Sequence, residues 1–456
     1  MPYLPKEIGA LTNLRSLNVE ENYLLVTLPK EIGKLVNLNT LTMNALFALT
    51  SLPEEFGNLT SLVTLTAAHC YMLRNLPRSF TGLKTLVTVD IHHSGLRALP
   101  EGFGQLTNIK TLNIMESFDL VSLSSDFGGL VQLEILYARR CAFPQLPVSF
   151  GNCSSLWYIH MAESKLTSLP ESFGQLRSLR NLILNNNDLH SLPESIGNLT
   201  SLNELVLSNN PFLTTLPDSF GQLSELKLLH LSGNNMQSWP SAVNRLINLN
   251  ILGMNDNPQL TTLSESFYDM PALTELRIAN CGLTSLSPRI NQMKNLVKLY
   301  ADKNKLAVLP AEFAELAALR FVGFQENLFV NFSIALCGLT QLEELFLDNN
   351  PLTTVPPEIA NMQNLRYLRL TSCALQTLPL EFSLMSGLRE LDLASNGLVE
   401  LPVGVCNHVG LTHLYVNDNK LQTLPVEIGN MKSLQVIYLY YNLLTSLPAE
   451  VGNMTS

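Results

Sequence analysis

The sequence predicts an α/β solenoid with a parallel β-sheet along one side and short helices or turns along the other. Three observations support this prediction: a fixed repeat period, an apolar alternation within each period, and a proline-acid-glycine pattern that follows it. Nineteen repeats of 23 or 24 residues separate the Leu-Pro step at Leu4 from the one at Leu447. A constant period of this size is typical of stacked units that bury their apolar faces only against their neighbours.

The strand is clearest in the repeat from Leu179 to Leu202. Leu182 and Leu184 alternate with polar residues, which is the period of a strand with one buried face. We therefore expect one short strand per repeat, with solvent-facing side chains on either side of each buried leucine.

The turn after the strand begins at the Leu-Pro step of the same repeat. Pro193 is predicted at the first helical position, and Glu194 next to it suits the positive end of a short helix. Gly197 is predicted to end the turn, as glycine often does.

This pattern, LxxLxLxxNxL followed by xxLPxxφGxLxx, resembles the leucine-rich repeat over essentially the whole chain. The resemblance implies an arc or horseshoe of about 19 repeats, with the parallel sheet on the concave face and short helices or turns on the convex face. The LPxxφGxL variant is similar to the Ras-group intracellular repeats and to the repeat blocks that precede kinase or GTPase modules in signalling proteins.

A solenoid grows in one dimension and escapes the size limit of a single core, so we expect one continuous domain over residues 1–456. Both ends of the chain fall inside a repeat, without the capping units that normally cover a terminal core. The chain is therefore expected to be a segment of a longer protein.

Two columns of the repeat are assigned to the core. The first contains phenylalanines that are expected to stack as a buried spine; these are Phe56, Phe80, Phe103, Phe127, Phe150, Phe173, Phe220, Phe267, Phe313 and Phe382. The second contains asparagines whose amides are expected to bond to backbone groups where the chain leaves the sheet; these are Asn22, Asn187, Asn210, Asn234, Asn257, Asn304, Asn327, Asn350, Asn396, Asn419 and Asn442. Cys70, Cys141, Cys281, Cys373, Ser94, Ser117 and Ser164 replace Asn in other repeats, and Leu46 breaks the rule.

The cysteines indicate the compartment. Four of the seven are isolated residues of the asparagine column, and no clustered cysteine cap is present in the sequence. This favours reduced thiols and a cytoplasmic protein, in agreement with a start that lacks a signal peptide. Five glycosylation sequons, at Asn58, Asn152, Asn198, Asn331 and Asn453, are interpreted as by-products of the repeat, and they leave an extracellular location open.

Composition excludes several classes of partner. The net charge is −10, which argues against generic binding to nucleic acid or to anionic membranes. No apolar run approaches the roughly 20 residues of a membrane span. No catalytic motif, phosphate loop or cofactor motif occurs in the sequence, so we expect a protein that is not an enzyme and needs no cofactor.

The variable positions of the concave face are the expected partner site. Tyr, Trp and Arg are favoured at interfaces because they bury a large area and still form hydrogen bonds. The predicted partner-binding residues are His92, Tyr137, Arg139, Arg140, Trp157, Tyr158, His160, Tyr300, Phe346, Arg369, Tyr415 and Tyr438. The alternative is that these side chains only stabilise neighbouring strands.

Histidine raises the question of a metal site. His69, His93 and Glu116 share one column in consecutive repeats, and two histidines with a carboxylate are a known ligand set. Such alignments arise easily in a repeat, so no metal site is predicted. His408 replaces a repeat leucine and is expected to be a tolerated defect of the core.

These observations favour a protein-binding scaffold or recognition domain of an intracellular signalling protein, whose preformed concave face binds a partner without being ordered by it. The alternative is a ligand-binding ectodomain of a surface or secreted receptor. An enzyme would require a separate module outside this sequence.

Overall fold

A computed structural model describes residues 2–454. The chain forms two compact units, an N-terminal unit at Met1–Asn235 and a C-terminal unit at Met236–Ser456. Both are built from coils that contain one three-residue strand and one short helix each, which confirms the predicted solenoid. Within the described residues, no helix is long and apolar enough to cross a membrane.

The described part of the N-terminal unit has ten strands that pair in parallel and in chain order. They are β1 (Ser16–Asn18), β2 (Thr40–Thr42), β3 (Thr64–Thr66), β4 (Thr88–Asp90), β5 (Thr111–Asn113), β6 (Ile135–Tyr137), β7 (Tyr158–His160), β8 (Asn181–Ile183), β9 (Glu204–Val206) and β10 (Leu228–His230).

The described part of the C-terminal unit has nine strands with the same parallel order. They are β11 (Ile251–Gly253), β12 (Glu275–Arg277), β13 (Lys298–Tyr300), β14 (Phe321–Gly323), β15 (Glu344–Phe346), β16 (Tyr367–Arg369), β17 (Glu390–Asp392), β18 (His413–Tyr415) and β19 (Val436–Tyr438).

The register of the strands stacks the same repeat position in every coil. Leu136 pairs with Ile159, for example, and both are buried, while Tyr137 and His160 pair on the other side of the sheet. The middle residue of each strand therefore points into the core. We call the opposite side, which holds the first and third residue of each strand, the sheet face.

Short helices lie across the core from the strands, and most are 3₁₀ helices. In the N-terminal unit they span Lys6–Ala10, Lys30–Lys34, Glu54–Asn58, Arg78–Gly82, Phe103–Gln105, Phe127–Gly129, Val148–Asn152, Glu171–Gln175, Glu194–Asn198 and Asp218–Gln222. In the C-terminal unit they span Ser241–Arg245, Glu265–Tyr268, Pro288–Gln292, Ala311–Glu315, Pro357–Asn361, Leu380–Leu384, Val426–Asn430 and Ala449–Asn453, together with two α-helical turns, α1 (Ile334–Cys337) and α2 (Val403–Cys406).

The turn predictions are wrong in two details. Pro193 is not the first helical residue; it is extended at the N-cap, where its carbonyl accepts the first hydrogen bond, from Ile196 N, at 3.0 Å. Gly197 does not end the helix but lies inside it. A Cβ there would come within 2.3 Å of Ser219 O in the next coil, so this glycine is required by the close approach of two backbones.

The phenylalanine column is a buried spine, as predicted. All ten phenylalanines have no exposed surface. Rings of neighbouring coils lie nearly parallel, with centroids 5.8 Å apart between Phe150 and Phe173 and 6.2 Å apart between Phe56 and Phe80. Since each coil buries its ring against the next coil, the core is continuous along each unit.

The asparagine column forms a ladder of hydrogen bonds, which confirms that prediction. Asn187 Nδ2 donates to Leu184 O at 2.9 Å and to Met161 O of the preceding coil at 2.8 Å. Its Oδ1 accepts from the backbone amides of Ser164 and Leu166. Each such amide therefore joins two coils at the point where the chain bends away from the sheet.

All seven cysteines are free, and six of them are buried. In the ladder column, Cys281 Sγ donates to Met254 O at 3.1 Å, so the thiol takes over part of the asparagine's role. Burial raises the pKa of Cys281 to about 11. This thiol is therefore protonated and unreactive near neutral pH.

His408 is a paired core residue and not a defect, so that expectation is wrong. The side chain is 3% exposed, and its Nε2 lies 2.6 Å from Met385 O while Nδ1 accepts from Gly410 N. This pairing requires the neutral ring with its proton on Nε2. Burial lowers the pKa of His408.

A pH dependence follows from this histidine. Because its pKa is lower in the folded protein than the ordinary value of 6.5, the unfolded chain takes up the proton first as pH falls. The stability that neutral His408 contributes is thus complete above about pH 6.5 and decreases below it. Urea unfolding at about pH 7.5 and about pH 5.5 checks this: His408→Leu is expected to lose less stability on acidification than wild type, and an equal loss would contradict the prediction.

Candidate functional site

The residue directly before the ladder position has a positive φ in most coils. This column includes His69 (φ 59°), His93 (51°), Glu116 (56°), Arg140 (57°) and Glu163 (57°). A backbone amide in this conformation bonds to the next coil, as Glu116 N does to Arg139 O at 2.7 Å. The column places side chains just beyond the carboxyl end of each strand, at the border of the sheet face.

In the N-terminal unit, three predicted aromatic residues lie together. Tyr137 and Tyr158 have ring centroids 5.4 Å apart, and Trp157 meets Tyr158 edge-on at 5.8 Å. Trp157 does not stand on a strand but precedes β7. It lines a groove of about 870 Å³ along the amino ends of the strands, together with Glu134 and Arg180.

The two predicted arginines share one carboxylate. Arg139 Nε donates to Glu163 Oε1 at 2.8 Å, and Arg140 Nε donates to Glu163 Oε2 at 2.7 Å. These bonds lower the pKa of Glu163, so it is ionised at neutral pH. The guanidinium groups are therefore held in place before any partner arrives, which the sequence pattern did not reveal.

His160 stands on β7 in register with Tyr137 of β6. Its burial, and next the positive charge of Arg139, lower its pKa. It is therefore a neutral ring at pH 7 and offers hydrogen bonding and stacking rather than charge.

His92 belongs to a different group, which also contains His69 and His93. The His69 and His93 rings stack with centroids 4.6 Å apart, and His92 meets His69 edge-on at 5.0 Å. Burial, together with the two neighbouring histidines, lowers the pKa of His69, whereas the hydrogen bond that the His92 ring donates to Asp90 raises the pKa of His92. We call these three side chains the histidine cluster.

In the C-terminal unit, an aromatic row crosses three strands. Tyr300 of β13 lies 4.5 Å from Phe321 of β14, and Phe321 lies 5.3 Å from Phe346 of β15, measured between ring centroids. The guanidinium of Arg277 stacks over Tyr300 and that of Arg369 over Phe346, each at 5.1 Å. We call these five residues the aromatic row.

Two members of this row, Arg277 and Phe321, were not among the residues predicted from the sequence. Arg277 is the third residue of β12, and Phe321 is the first residue of β14. Both therefore flank the buried middle residue of their strand, and this position in the repeat could have identified them as residues of the sheet face. Gly323 on β14 lies beside the Phe321 ring: a Cβ there would be 3.4 Å from Phe321 Cε1, an ordinary contact, and 2.9 Å from Gln325 Oε1.

Arg369 has a second partner in Asp348, whose side chain is almost fully buried beside the row. Arg369 Nη2 lies 3.3 Å from Asp348 Oδ2, and Asp348 Oδ1 accepts from Thr371 N at 3.1 Å. Burial raises the pKa of Asp348, an effect that Arg369 opposes. The carboxylate thus anchors one end of the row.

Tyr415 and Tyr438 form a third aromatic group, on β18 and β19. Their centroids are 5.1 Å apart, and the contacts continue through Tyr440 to Tyr441, which is 78% exposed. The structure therefore brings the predicted residues together in local groups within each unit.

The repeats match known families. The leucine-rich repeat region family matches residues 120–232 and 357–456, and the leucine rich repeat family matches residues 341–362. No curated protein is significantly similar to the chain in sequence.

Solved structures share the fold. A leucine-rich repeat protein from Leptospira interrogans is 26% identical, with a TM-score of 0.66 and a match covering 96% of this chain and 99% of that one. The leucine-rich repeat ectodomain of the membrane receptor kinase GASSHO1/SCHENGEN3 from Arabidopsis thaliana, in complex with CASPARIAN STRIP INTEGRITY FACTOR 2, is 26% identical, with a TM-score of 0.70. That match covers 99% of this chain but only 59% of the ectodomain, so this chain spans less than two thirds of it.

An internalin from Listeria monocytogenes is 21% identical, with a TM-score of 0.57 and coverage of 66% of this chain and 86% of that one; it shares the fold. In the ranges that the family matches, each coil of the structure contains a strand, a short helix and a ladder position. The chain therefore belongs to the leucine-rich repeat family.

Proposed function

We propose that this protein is a non-enzymatic recognition scaffold that binds a protein or peptide partner on its sheet face. The aromatic row carries this proposal. It presents three rings side by side with a guanidinium over each end, and aromatic residues and arginine are the types that dominate binding energy at interfaces.

Preorganisation supports the same function. The arginines of both units are already paired. Glu163 holds Arg139 and Arg140 in the N-terminal unit, and in the C-terminal unit Arg369 is paired with Asp348 while Arg277 donates to Glu275. A partner that docks on such side chains does not have to order them, which reduces the entropic cost of binding. The net charge of −10 makes nucleic acid a poor alternative partner.

The predicted site residues keep their role in this proposal, with the additions from the structure. In the N-terminal unit the proposed surface comprises His92, Tyr137, Arg139, Arg140, Trp157, Tyr158 and His160. In the C-terminal unit it comprises Arg277, Tyr300, Phe321, Phe346, Arg369, Tyr415 and Tyr438.

Affinity capture from a native cell lysate tests the surface. A double variant, Tyr300→Ser with Phe346→Ser, is expected to weaken capture of the partner by about 30-fold, since removing a hot spot costs about 2 kcal/mol or more. The equivalent variant of the N-terminal unit is Tyr137→Ser with Tyr158→Ser. Each double variant measures how much one unit contributes to the affinity for the same partner.

The matched control removes apolar surface elsewhere. Val148→Ser with Leu380→Ser changes two side chains of the helical side that are 77% and 66% exposed, and it is expected to capture the partner like wild type. Equal capture by wild type and both sheet-face variants would disprove the proposed surface. Melting temperatures of all variants establish that each is folded.

We place the scaffold inside the cell, as a module of a signalling protein, because all seven cysteines are free and six are buried in separate positions. The alternative is a receptor ectodomain, which is favoured by the exposure of Asn58, Asn152, Asn198 and Asn331 in glycosylation sequons. Mass spectrometry of the natively expressed protein separates the two: glycan masses support the ectodomain, and seven titratable thiols after denaturation without glycans support the intracellular module.

A further inference from the structure

The histidine cluster combines three half-buried imidazole rings from two neighbouring coils. His69 and His93 occupy the positive-φ column, and His92 precedes His93 after β4. One ring nitrogen of each histidine lies within 4.8 Å of one ring nitrogen of each of the others. Imidazole nitrogens gathered in this way are ligands for divalent transition metals.

Two carboxylates orient two of the rings. His92 Nδ1 lies 2.6 Å from Asp90 Oδ1, and His93 Nε2 is paired with the carboxylate of Glu116. A carboxylate in this position accepts the ring N–H and thereby leaves the lone pair on the other nitrogen. Metal-binding histidines in proteins almost always have such a partner on the nitrogen that does not bind the metal.

The remaining nitrogens are open. His93 Nδ1 is buried and has no hydrogen-bond partner in residues 2–454, an arrangement that costs free energy unless a ligand fills it. His69 Nδ1 forms a hydrogen bond with the hydroxyl of Tyr71 at 3.0 Å. The other ring nitrogen, His69 Nε2, has no protein partner among the described residues.

The local charge suits a cation. Asp90 and Glu116 place two carboxylates beside the cluster. Both nearby arginines are paired with carboxylates: Arg140 lies 3.5 Å from Glu116 Oε1, and Arg74, which lines the same cavity as His93, is paired with Asp119. Cys70 is not part of the cluster although it follows His69, because its thiol points into the core and donates to Met43 O at 3.3 Å.

The distances are compatible with one shared ion after small side-chain rotations. Zn–N bonds of 2.0–2.1 Å in tetrahedral geometry place the nitrogens about 3.3 Å apart. The ring nitrogens lie within 4.8 Å of one another, so each pair has to close by at most about 1.5 Å, which side chains at the surface reach by rotation about χ1 and χ2.

We propose that His69, His92 and His93 bind one divalent transition-metal ion of the zinc class, with Asp90, Glu116 and Tyr71 as the outer partners of the three rings. Three protein ligands leave a fourth position open on the sheet face, where water or a partner's side chain completes the coordination. This site uses none of the proposed aromatic contacts, although it shares His92 with the proposed partner surface.

Calorimetric titration of the chelator-treated, full-length protein with Zn²⁺ alone tests the proposal. One equivalent is expected to bind, and Mg²⁺ is expected to give no heat, because imidazole is a poor ligand for it. His69→Gln and His93→Gln are each expected to abolish stoichiometric binding. Glu116→Gln, which changes only an outer partner, is expected to weaken Zn²⁺ by about 10–100-fold.

The control variant is His413→Gln, which alters a histidine on β18, outside the cluster, and is expected to bind Zn²⁺ like wild type. Replacing Zn²⁺ by Co²⁺ provides a second readout, since visible absorption bands of a four-coordinate ion are expected in wild type and in His413→Gln but not in His69→Gln or His93→Gln. Absence of stoichiometric Zn²⁺ binding in wild type, or unchanged binding in both His69→Gln and His93→Gln, would overturn the proposal. Circular dichroism confirms that each variant is folded.

Discussion

Replacing Phe173 by alanine is expected to lower the free energy of unfolding by about 3–5 kcal/mol. The ring has no exposed surface, and it stacks on Phe150 with an angle of 2° between the ring planes. Its removal leaves a cavity between coils that the flanking backbones do not close, because Gly174 is already in close contact with Ser195 of the next coil. Urea denaturation followed by circular dichroism measures the loss.

Two controls accompany this experiment. Phe173→Ile introduces the residue that stands in the same column at Ile196 and Ile428, and it is expected to cost less than alanine because it leaves a smaller cavity. Val148→Ala, at a position that is 77% exposed, is expected to change stability by less than about 0.5 kcal/mol. An unchanged unfolding midpoint for Phe173→Ala would show that the phenylalanine spine is not what holds the coils together.

Replacing Asn304 by alanine is expected to cost roughly 2–5 kcal/mol. The side chain is 6% exposed; it donates to Ile278 O at 2.8 Å and Ala301 O at 3.0 Å, and it accepts from Cys281 N and Leu283 N. Alanine leaves two buried N–H groups without an acceptor, and each unsatisfied group lowers the free energy of unfolding by about 1–3 kcal/mol. Chemical denaturation of the variant measures the effect.

Cysteine at the same position is the matched control. Cys281 shows that a thiol in this column donates to the backbone of the preceding coil, but it does not replace the amide oxygen. Asn304→Cys is therefore expected to be less stable than wild type and more stable than Asn304→Ala. If alanine and cysteine were equally tolerated, hydrogen bonding by the ladder would not be the reason for asparagine in this column.

The architecture was predictable because each repeat contains the residue pattern of its own strand and turn. Leu182 and Leu184 specify a strand by their spacing alone, and the same spacing recurs in neighbouring repeats that stack in register. The Phe and Asn columns were predictable for the same reason, since a residue type that recurs at one position of a solenoid meets the same neighbours in every coil.

Local turn geometry was less predictable. Pro193 and Gly197 were assigned roles that suit an isolated helix, but the structure uses one as an extended N-cap and the other to allow the close approach of Ser219. His408 is similar: its sequence position suggests a defect, whereas two backbone partners in the surrounding coils make it a fitted core residue.

By itself, the sequence determined the family, the number and order of the strands, the buried columns and the side of the sheet on which variable residues stand, because these properties depend on a short period repeated many times. Tertiary structure alone decided which of those variable residues meet. The pairing of Arg139 and Arg140 on Glu163, the insertion of Phe321 between Tyr300 and Phe346, and the gathering of three histidines depend on side chains that reach between neighbouring coils, from residues 21 to 25 positions apart in sequence. No periodicity encodes such contacts, since each occurs once.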